Sequence, residues 1–289
     1  MKAPDFDYFK PRTLDEVYAL LAEYGDEARL LAGGQTLMAT LNMRLSEPAL
    51  LIDISGIDTL RGIGLQDGAL RIGALATHTQ IENSALVAQH APLLASAAPH
   101  IAHRAIRNLG TFGGSIAYAD PAAEWPACAL ALDATVICCS AEGARRIAAA
   151  DFFLDLYTTA LRPGELVLGC DIPAASAGSR FHFDELARRH GDYAIAGLAL
   201  ATRFEQGLMR QTRLAFLGIA ATPVRARRTE AFLDGRAAQA AVIDEAAALL
   251  GDELDGALSP VADLTNSSAT KRHLATVLLR RALHSFTAG

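Results

Sequence analysis

Apolar residues in the segment TLDEVYALLAEYG recur at Leu14, Val17, Leu20, Leu21 and Tyr24, the spacing of one helical face. Thr13 is placed as its N-cap with Glu16 three residues on, a capping-box pattern, and Gly25 stops the helix. The period then shortens. ARLLA predicts a strand, a helix follows over about 36–45, and LLIDI after Pro48 predicts a second strand. Two strand-like runs in LRGIGLQDGALRIGALAT are separated by Asp67-Gly68, a hairpin signal. Residues 79–106 predict helix interrupted by Pro92 and Pro99; residues 135–149 predict a second hairpin, and ELVLGCDIP a strand ending at Pro173. AASAGS, 174–179, holds only small residues and marks a boundary. Beyond it RFHFDELARR, DYAIAGLALATRFE and LMRQTRLAFLGIA predict a three-stranded meander, followed by helices from about Pro223, KRHLATVLLRRALHSF being the strongest. The pattern is α+β in two domains: residues 1–176, made of two α/β lobes (1–56 and 57–176), and a smaller α+β domain at 177–289.

Composition narrows the function classes. A chain of 289 residues with 51% hydrophobic and 20% charged content builds real cores and is not disordered. A net charge of -6 leaves no positive field for nucleic acid or an anionic membrane. The basic runs at Arg225, Arg227 and Arg228 and at Lys271, Arg272 and His273 are read as solvated helix faces. Acidic residues and prolines break up the N-terminal stretch where a leader would need an apolar core, so the expected location is the cytoplasm. No run approaches the roughly eighteen apolar residues of a membrane span. The four cysteines, Cys128, Cys138, Cys139 and Cys170, lack C-x-x-C spacing and sit in apolar surroundings, which suggests buried thiols. Iron–sulfur chemistry, if involved, must then come from another chain.

Several catalytic signatures are missing: G-x-x-x-x-G-K-[ST], G-x-G-x-x-G opening a helix, and H-E-x-x-H. Ser115 in GGSIA misses the nucleophile-elbow pattern at its last position, and His100 with His103 has no third ligand nearby in sequence. What remains is a pair of glycine loops, AGGQTL and TFGGSI, about eighty residues apart. Each alone is compatible with a plain turn. Together they offer backbone N–H groups and hydroxyls on two sides, which suits a diphosphate, and the lack of a lysine suits a retained dinucleotide better than a hydrolysed triphosphate.

LLAGGQTLMATLNMRLSEPALLIDI followed by IRNLGTFGGSIAYADPAAEWPACALALDA resembles the FAD-binding medium subunit of bacterial molybdenum hydroxylases, the xanthine dehydrogenase and carbon monoxide dehydrogenase family. The resemblance extends over essentially the whole chain. It implies a two-lobed FAD-binding domain of the vanillyl-alcohol oxidase (PCMH) type followed by a C-terminal domain of the carbon monoxide dehydrogenase flavoprotein type. Carried over by position, Ala32, Gly33, Gly34, Gln35, Thr36 and Leu37 would wrap the FAD diphosphate, and Thr111, Phe112, Gly113, Gly114 and Ser115 would grip it from the other side. Glu124 falls where relatives place an aspartate that contacts the cofactor. Val167 matches an apolar position against the flavin, and Tyr193 an aromatic that covers the isoalloxazine in some relatives; a strand aromatic in the core is the alternative. Asp184 stands where xanthine dehydrogenases carry a lysine near the flavin, a reversal that puts NAD as acceptor in doubt. The cysteine-bearing insertion of the 4-hydroxybenzoyl-coenzyme A reductase branch is missing.

The resemblance also implies partners: a large subunit with molybdopterin, where substrate is hydroxylated, and a small subunit with two [2Fe-2S] clusters that feed this chain's FAD. FAD then passes electrons to an external acceptor. It implies a heterotrimer repeated twice, with no catalytic acid or base on this chain. Two other readings stay open at this level: a self-contained FAD-dependent oxidoreductase with its own small organic substrate, and a non-catalytic nucleotide-binding or assembly module.

Overall fold

A computed structural model describes residues 2–287. Strand β1 (Asp7–Phe9), helix α1 (Leu14–Tyr24), strand β2 (Ala28–Leu31), helix α2 (Leu37–Asn42) and strand β3 (Leu50–Asp53) form a first lobe with parallel strand order β1-β3-β2. The central β3 is buried at every position, as a parallel strand covered on both faces must be. Thr13 caps α1 through its hydroxyl, which accepts from the Glu16 N–H at 3.3 Å. The return arm of the expected capping box lands one residue early: the Glu16 carboxylate accepts from Arg12 N–H at 2.7 Å. Asp53 fastens β1 to β3 by accepting from the Tyr8 hydroxyl and pairing with Lys10 at 3.2 Å.

The second lobe opens with β4 (Ile63–Gln66) and β5 (Ala69–Gly73), joined by the hairpin at Asp67 (φ 50°) and Gly68 (φ 77°). Five short helices follow: α3 (His78–Glu82), α4 (Ala85–His90), α5 (Pro92–Ala97), α6 (Arg104–Arg107) and α7 (Phe112–Tyr118), then the apolar α8 (Glu124–Ala131). The hairpin β6 (Thr135–Ser140) and β7 (Gly143–Ala148) leads through α9 (Ala149–Phe152), β8 (Phe153–Asp155) and β9 (Thr158–Thr159) to β10 (Leu166–Pro173). The last strand inserts between the two hairpins, giving the order β4-β5-β10-β6-β7. Trp125, Phe112 and Phe152 fill the core beneath this sheet. Cys128, Cys138 and Cys170 are buried there, whereas Cys139, on the alternate face of β6, is only half-buried, against the expectation for all four.

The C-terminal domain holds β11 (Ser179–Leu186), β12 (Ala196–Glu205), β13 (Leu208–Leu217) and a short β14 (Val224–Arg225), antiparallel and in sequence order, so the expected three-stranded meander has a fourth strand. Helices α10 (Arg227–Leu233), α11 (Ala240–Asp255) and α12 (Ser268–His284) complete it. The alternation along β12 divides two cores. Leu198 and Leu200 face Ile243, Leu250 and Leu278 of α11 and α12, while Ala199 and Ala201 belong to the core of the second lobe. Small side chains on that face let α8 lie directly on β12 and β13.

Ion pairs cross the same seam. Asp133, in the turn after α8, pairs with Arg213 at 2.6 Å and Arg225 at 2.9 Å. Arg225 also grips Glu230 at 2.7 Å, and Lys271 donates to the Gly218 carbonyl at 2.8 Å. The basic runs are therefore not solvated faces at these positions: the Arg225 and Lys271 side chains are buried at 9% and 8% exposure, Arg225 between Glu230 and the distant Asp133, Lys271 between Asp263 and the distant Gly218 carbonyl. The small-residue boundary is also tied down, with Ala174 N–H bonded to the Gly68 carbonyl and Ala175 N–H to that of His90. No helix among the described residues is long and apolar enough to cross a membrane.

Candidate functional site

The two glycine loops meet. A Cβ on Gly33, between β2 and α2, would collide with the Leu109 carbonyl oxygen and lie 2.8 Å from Gly110 Cα, just ahead of the second loop. Gly34 adopts φ +71°, the left-handed region that glycine enters without cost. A Cβ on Gly114 would sit 3.9 Å from the Ala32 Cβ. Gly33 is thus small because backbone presses on it from inside the protein, and Gly113 likewise because Ala74 fills the space its side chain would need.

The loops differ in what they leave open. Among the described residues, none accepts a hydrogen bond from the backbone N–H groups of Gly33, Gly34, Gln35 or Thr36. The Gln35 side chain donates to the Gly33 carbonyl at 2.9 Å, folding it onto its own loop. Leu37 begins α2. In the second loop the amides are committed: Phe112 N–H to the Ala76 carbonyl and Gly113 N–H to that of Ala74, both 2.8 Å, Gly114 N–H to Thr111 Oγ1 at 3.2 Å, and Ser115 N–H to the Thr111 carbonyl at 3.1 Å. The sequence reading, with free amides on both sides, is corrected to free amides on the first loop and a shaped wall with the half-buried Ser115 hydroxyl on the second.

That wall has a support that sequence reasoning missed. His78 receives a hydrogen bond at Nδ1 from Trp125 Nε1 at 2.9 Å, and its own N–H donates to the Gly110 carbonyl at 3.0 Å. Burial, and secondarily the Arg107 charge, lower its pKa to about 4, so the ring is neutral and able to accept. The Phe112 ring packs 5.8 Å from Trp125. Arg107 is buried, bonded to Glu82 at 2.9 Å and to the Ile101 carbonyl at 3.0 Å, and so fixes the segment entering the loop. The chain's one tryptophan, directly after Glu124, is the signal that could have found this support.

From the second loop α7 runs roughly 10 Å to Tyr118, and Ala119 turns the chain at φ 54° toward Asp120 and Glu124. Burial raises both carboxyls, Glu124 to about 7. Tyr118 and Tyr157 pack with ring centres 5.2 Å apart and planes tilted by 59°, and the Tyr193 phenol is raised by desolvation and then by the charge of Asp120, which places it in the same cluster. Tyr193 is 68% exposed in the loop before β12, so it is not a core strand aromatic. Val167 is buried in β10 within the main core. Asp184 stands apart, paired with Arg281 of α12 at 3.3 Å.

Residues 4–175 match the model of the FAD binding domain in molybdopterin dehydrogenase, and residues 181–286 that of the CO dehydrogenase flavoprotein C-terminal domain. The chain belongs to the FAD-binding medium subunits of this molybdopterin dehydrogenase family. It is 42% identical over 234 residues to the 6-hydroxypseudooxynicotine dehydrogenase complex subunit alpha of Paenarthrobacter nicotinovorans, covering 81% of this chain and 79% of the relative. To the carbon monoxide dehydrogenase medium chain of Hydrogenophaga pseudoflava it is 33% identical, covering 99% and 98%. A solved structure of carbon monoxide dehydrogenase from that organism, lacking the Mo-pyranopterin moiety of its cofactor, superposes with TM-score 0.94 at 35% identity, covering 100% and 99%. The medium subunits are parts of oxidoreductases, and their α+β architecture of FAD-binding and C-terminal domains is the one described above.

Proposed function

We propose that this chain holds FAD and passes electrons to an external acceptor, receiving them from two [2Fe-2S] clusters on a small partner subunit that drains a molybdopterin large subunit. The observation that carries the reading is the meeting of two glycine loops with the unclaimed N–H groups of Gly33, Gly34, Gln35 and Thr36 at the junction. Four successive unclaimed N–H groups without a lysine suit a retained diphosphate. Ala32 to Leu37 would hold it, and Thr111 to Ser115 would close the other side. α7 carries the chain away from this junction toward Asp120 and Glu124, so the residues assigned to the ring lie beyond that helix from those assigned to the diphosphate.

Bound FAD supplies exchange of one or two electrons, which lets one-electron clusters feed a two-electron acceptor. The protein's share is placement. Tyr193, exposed at 68%, would cover the ring as a lid side chain and Glu124 would bond its polar edge, while Val167, buried in the core, would back the site from within rather than touch the ring. Asp184 faces Arg281, and this cation offsets the charge that would otherwise oppose an anionic reduced ring.

An absorption spectrum of the purified chain, with chromatography of what denaturation releases, tests the reading. Stoichiometric FAD supports it; a colourless chain that takes up no added FAD overturns it. Affinity purification from native cells should bring down an iron–sulfur and a molybdenum polypeptide, at a mass corresponding to two heterotrimers.

A further inference from the structure

Glu185 is a buried acid without a counter-ion. Asp184 and Glu185 occupy alternate faces of β11, so while Asp184 reaches Arg281, Glu185 turns toward the second lobe. Its side chain is 5% exposed, and among the described residues Oε2 has no hydrogen-bond partner. Oε1 lies 3.8 Å from His100 Nδ1, too far for a hydrogen bond. Its other neighbours make an anion less welcome: Glu124 on the same side, with Cys128 one turn further along α8, and the like charge of Asp184 next to it in the strand. Gly197 of β12 packs against its Cβ. His100 offers no compensating charge, because burial and His190 lower its pKa, though Asp184 opposes them.

We propose that Glu185 is the proton-holding residue of the cofactor face, protonated at neutral pH and refilled from solvent through His100. A carboxylate taken out of water with neither cation nor donor is the costly state, and the neutral acid is the stable one. Burial followed by the Glu124 charge pushes the carboxyl up to about 8, in agreement with that geometry. The His100 side chain is 31% exposed, which gives the proton a way in.

What the proton serves rests on the FAD reading. Reduction of a flavin by iron–sulfur donors takes up protons. When bound FAD is reduced, Glu124, beside Asp120 and Tyr193, would give its proton to the cofactor; the Glu185 O–H bond would then break with its electron pair left on that carboxylate, and its proton would move to the vacated Glu124 carboxylate. A solvent proton delivered through His100 then restores Glu185. Neither acid is oxidised or reduced.

Infrared spectra of the purified protein at pH 7 test the proton itself. Carboxylic acid carbonyl absorption that shifts in heavy water should be present, and Glu185→Gln should remove one component of it that Glu124→Gln keeps. Absence of such absorption, or a Glu185→Gln spectrum that lacks none of its components, overturns the proposal. The midpoint potential of bound FAD, measured from pH 6 to 9, tests the link to the cofactor: the wild-type slope should change near pH 8, and Glu185→Gln should lose that change at unaltered FAD content. An unaltered slope in Glu185→Gln refutes the link. A protein that shows that component yet binds no FAD would sink the functional reading and leave the proton on Glu185 standing.

Discussion

Replacing Gly33 by valine drives a branched side chain into the Leu109 carbonyl, and the same change at Gly114 displaces the Thr111 hydroxyl, which lies 2.8 Å from a built Cβ. Both variants should lose FAD while the C-terminal domain keeps its cooperative unfolding. The FAD-to-protein ratio decides, and full occupancy in both would remove the diphosphate assignment. Tyr193→Ala should instead keep FAD, shift its visible spectrum and change stability by less than about 0.5 kcal/mol, because the side chain is exposed. An unchanged spectrum would detach Tyr193 from the ring. The glycine pairs were legible as a site because two rare patterns recur in one chain. Their physical reason was not: Gly33 and Gly113 are required by backbone packed against them, which depends on Leu109 and Ala74 arriving from elsewhere in the chain. Arg225 was misread partly for a similar reason: besides Glu230, five residues on, it pairs with Asp133, 92 residues away.

At the scale of elements, alternation and turn chemistry made β4, β5, β6, β7 and β10 readable. The stretch 79–106 was legible as helix interrupted at Pro92 and Pro99 but not as four short helices, and α7 beyond it was not read as helix at all, because caps such as Thr77 and Ser84 act locally. In β12 both faces are apolar, so periodicity could not say which face meets which core. The structure assigns alanines to the α8 side and leucines to the α11 and α12 side. Ala199→Leu should therefore overpack the seam and destabilise by about 1–3 kcal/mol in urea unfolding. A neutral result would show that α8 has room to retreat from the sheet.

For the whole molecule, the two raised carboxyls set a pH dependence. Glu124 at about 7 and Glu185 at about 8 stay protonated in the fold at pH values where the unfolded chain, near 4.5, has released those protons. At these two sites the native state binds more protons, so their contribution to stability falls as pH rises from about 5 to 8, while His78, lowered to about 4, adds an opposite slope up to about 6.5. Glu185→Gln should flatten that decline in denaturant midpoints taken across the window; an equally steep decline would mean the acid is already ionised in the fold. The alanine face of β12 bears on how the gene can be cut. Although the two family matches end and begin at residues 175 and 181, the sheet surface that α8 covers would be bare in a chain starting there. Expressed alone, residues 181–286 should elute from gel filtration as oligomers or aggregate, and adding residues 1–180 as a second polypeptide should return a soluble one-to-one complex. The sequence modules are heritable units, but solubility belongs only to the pair.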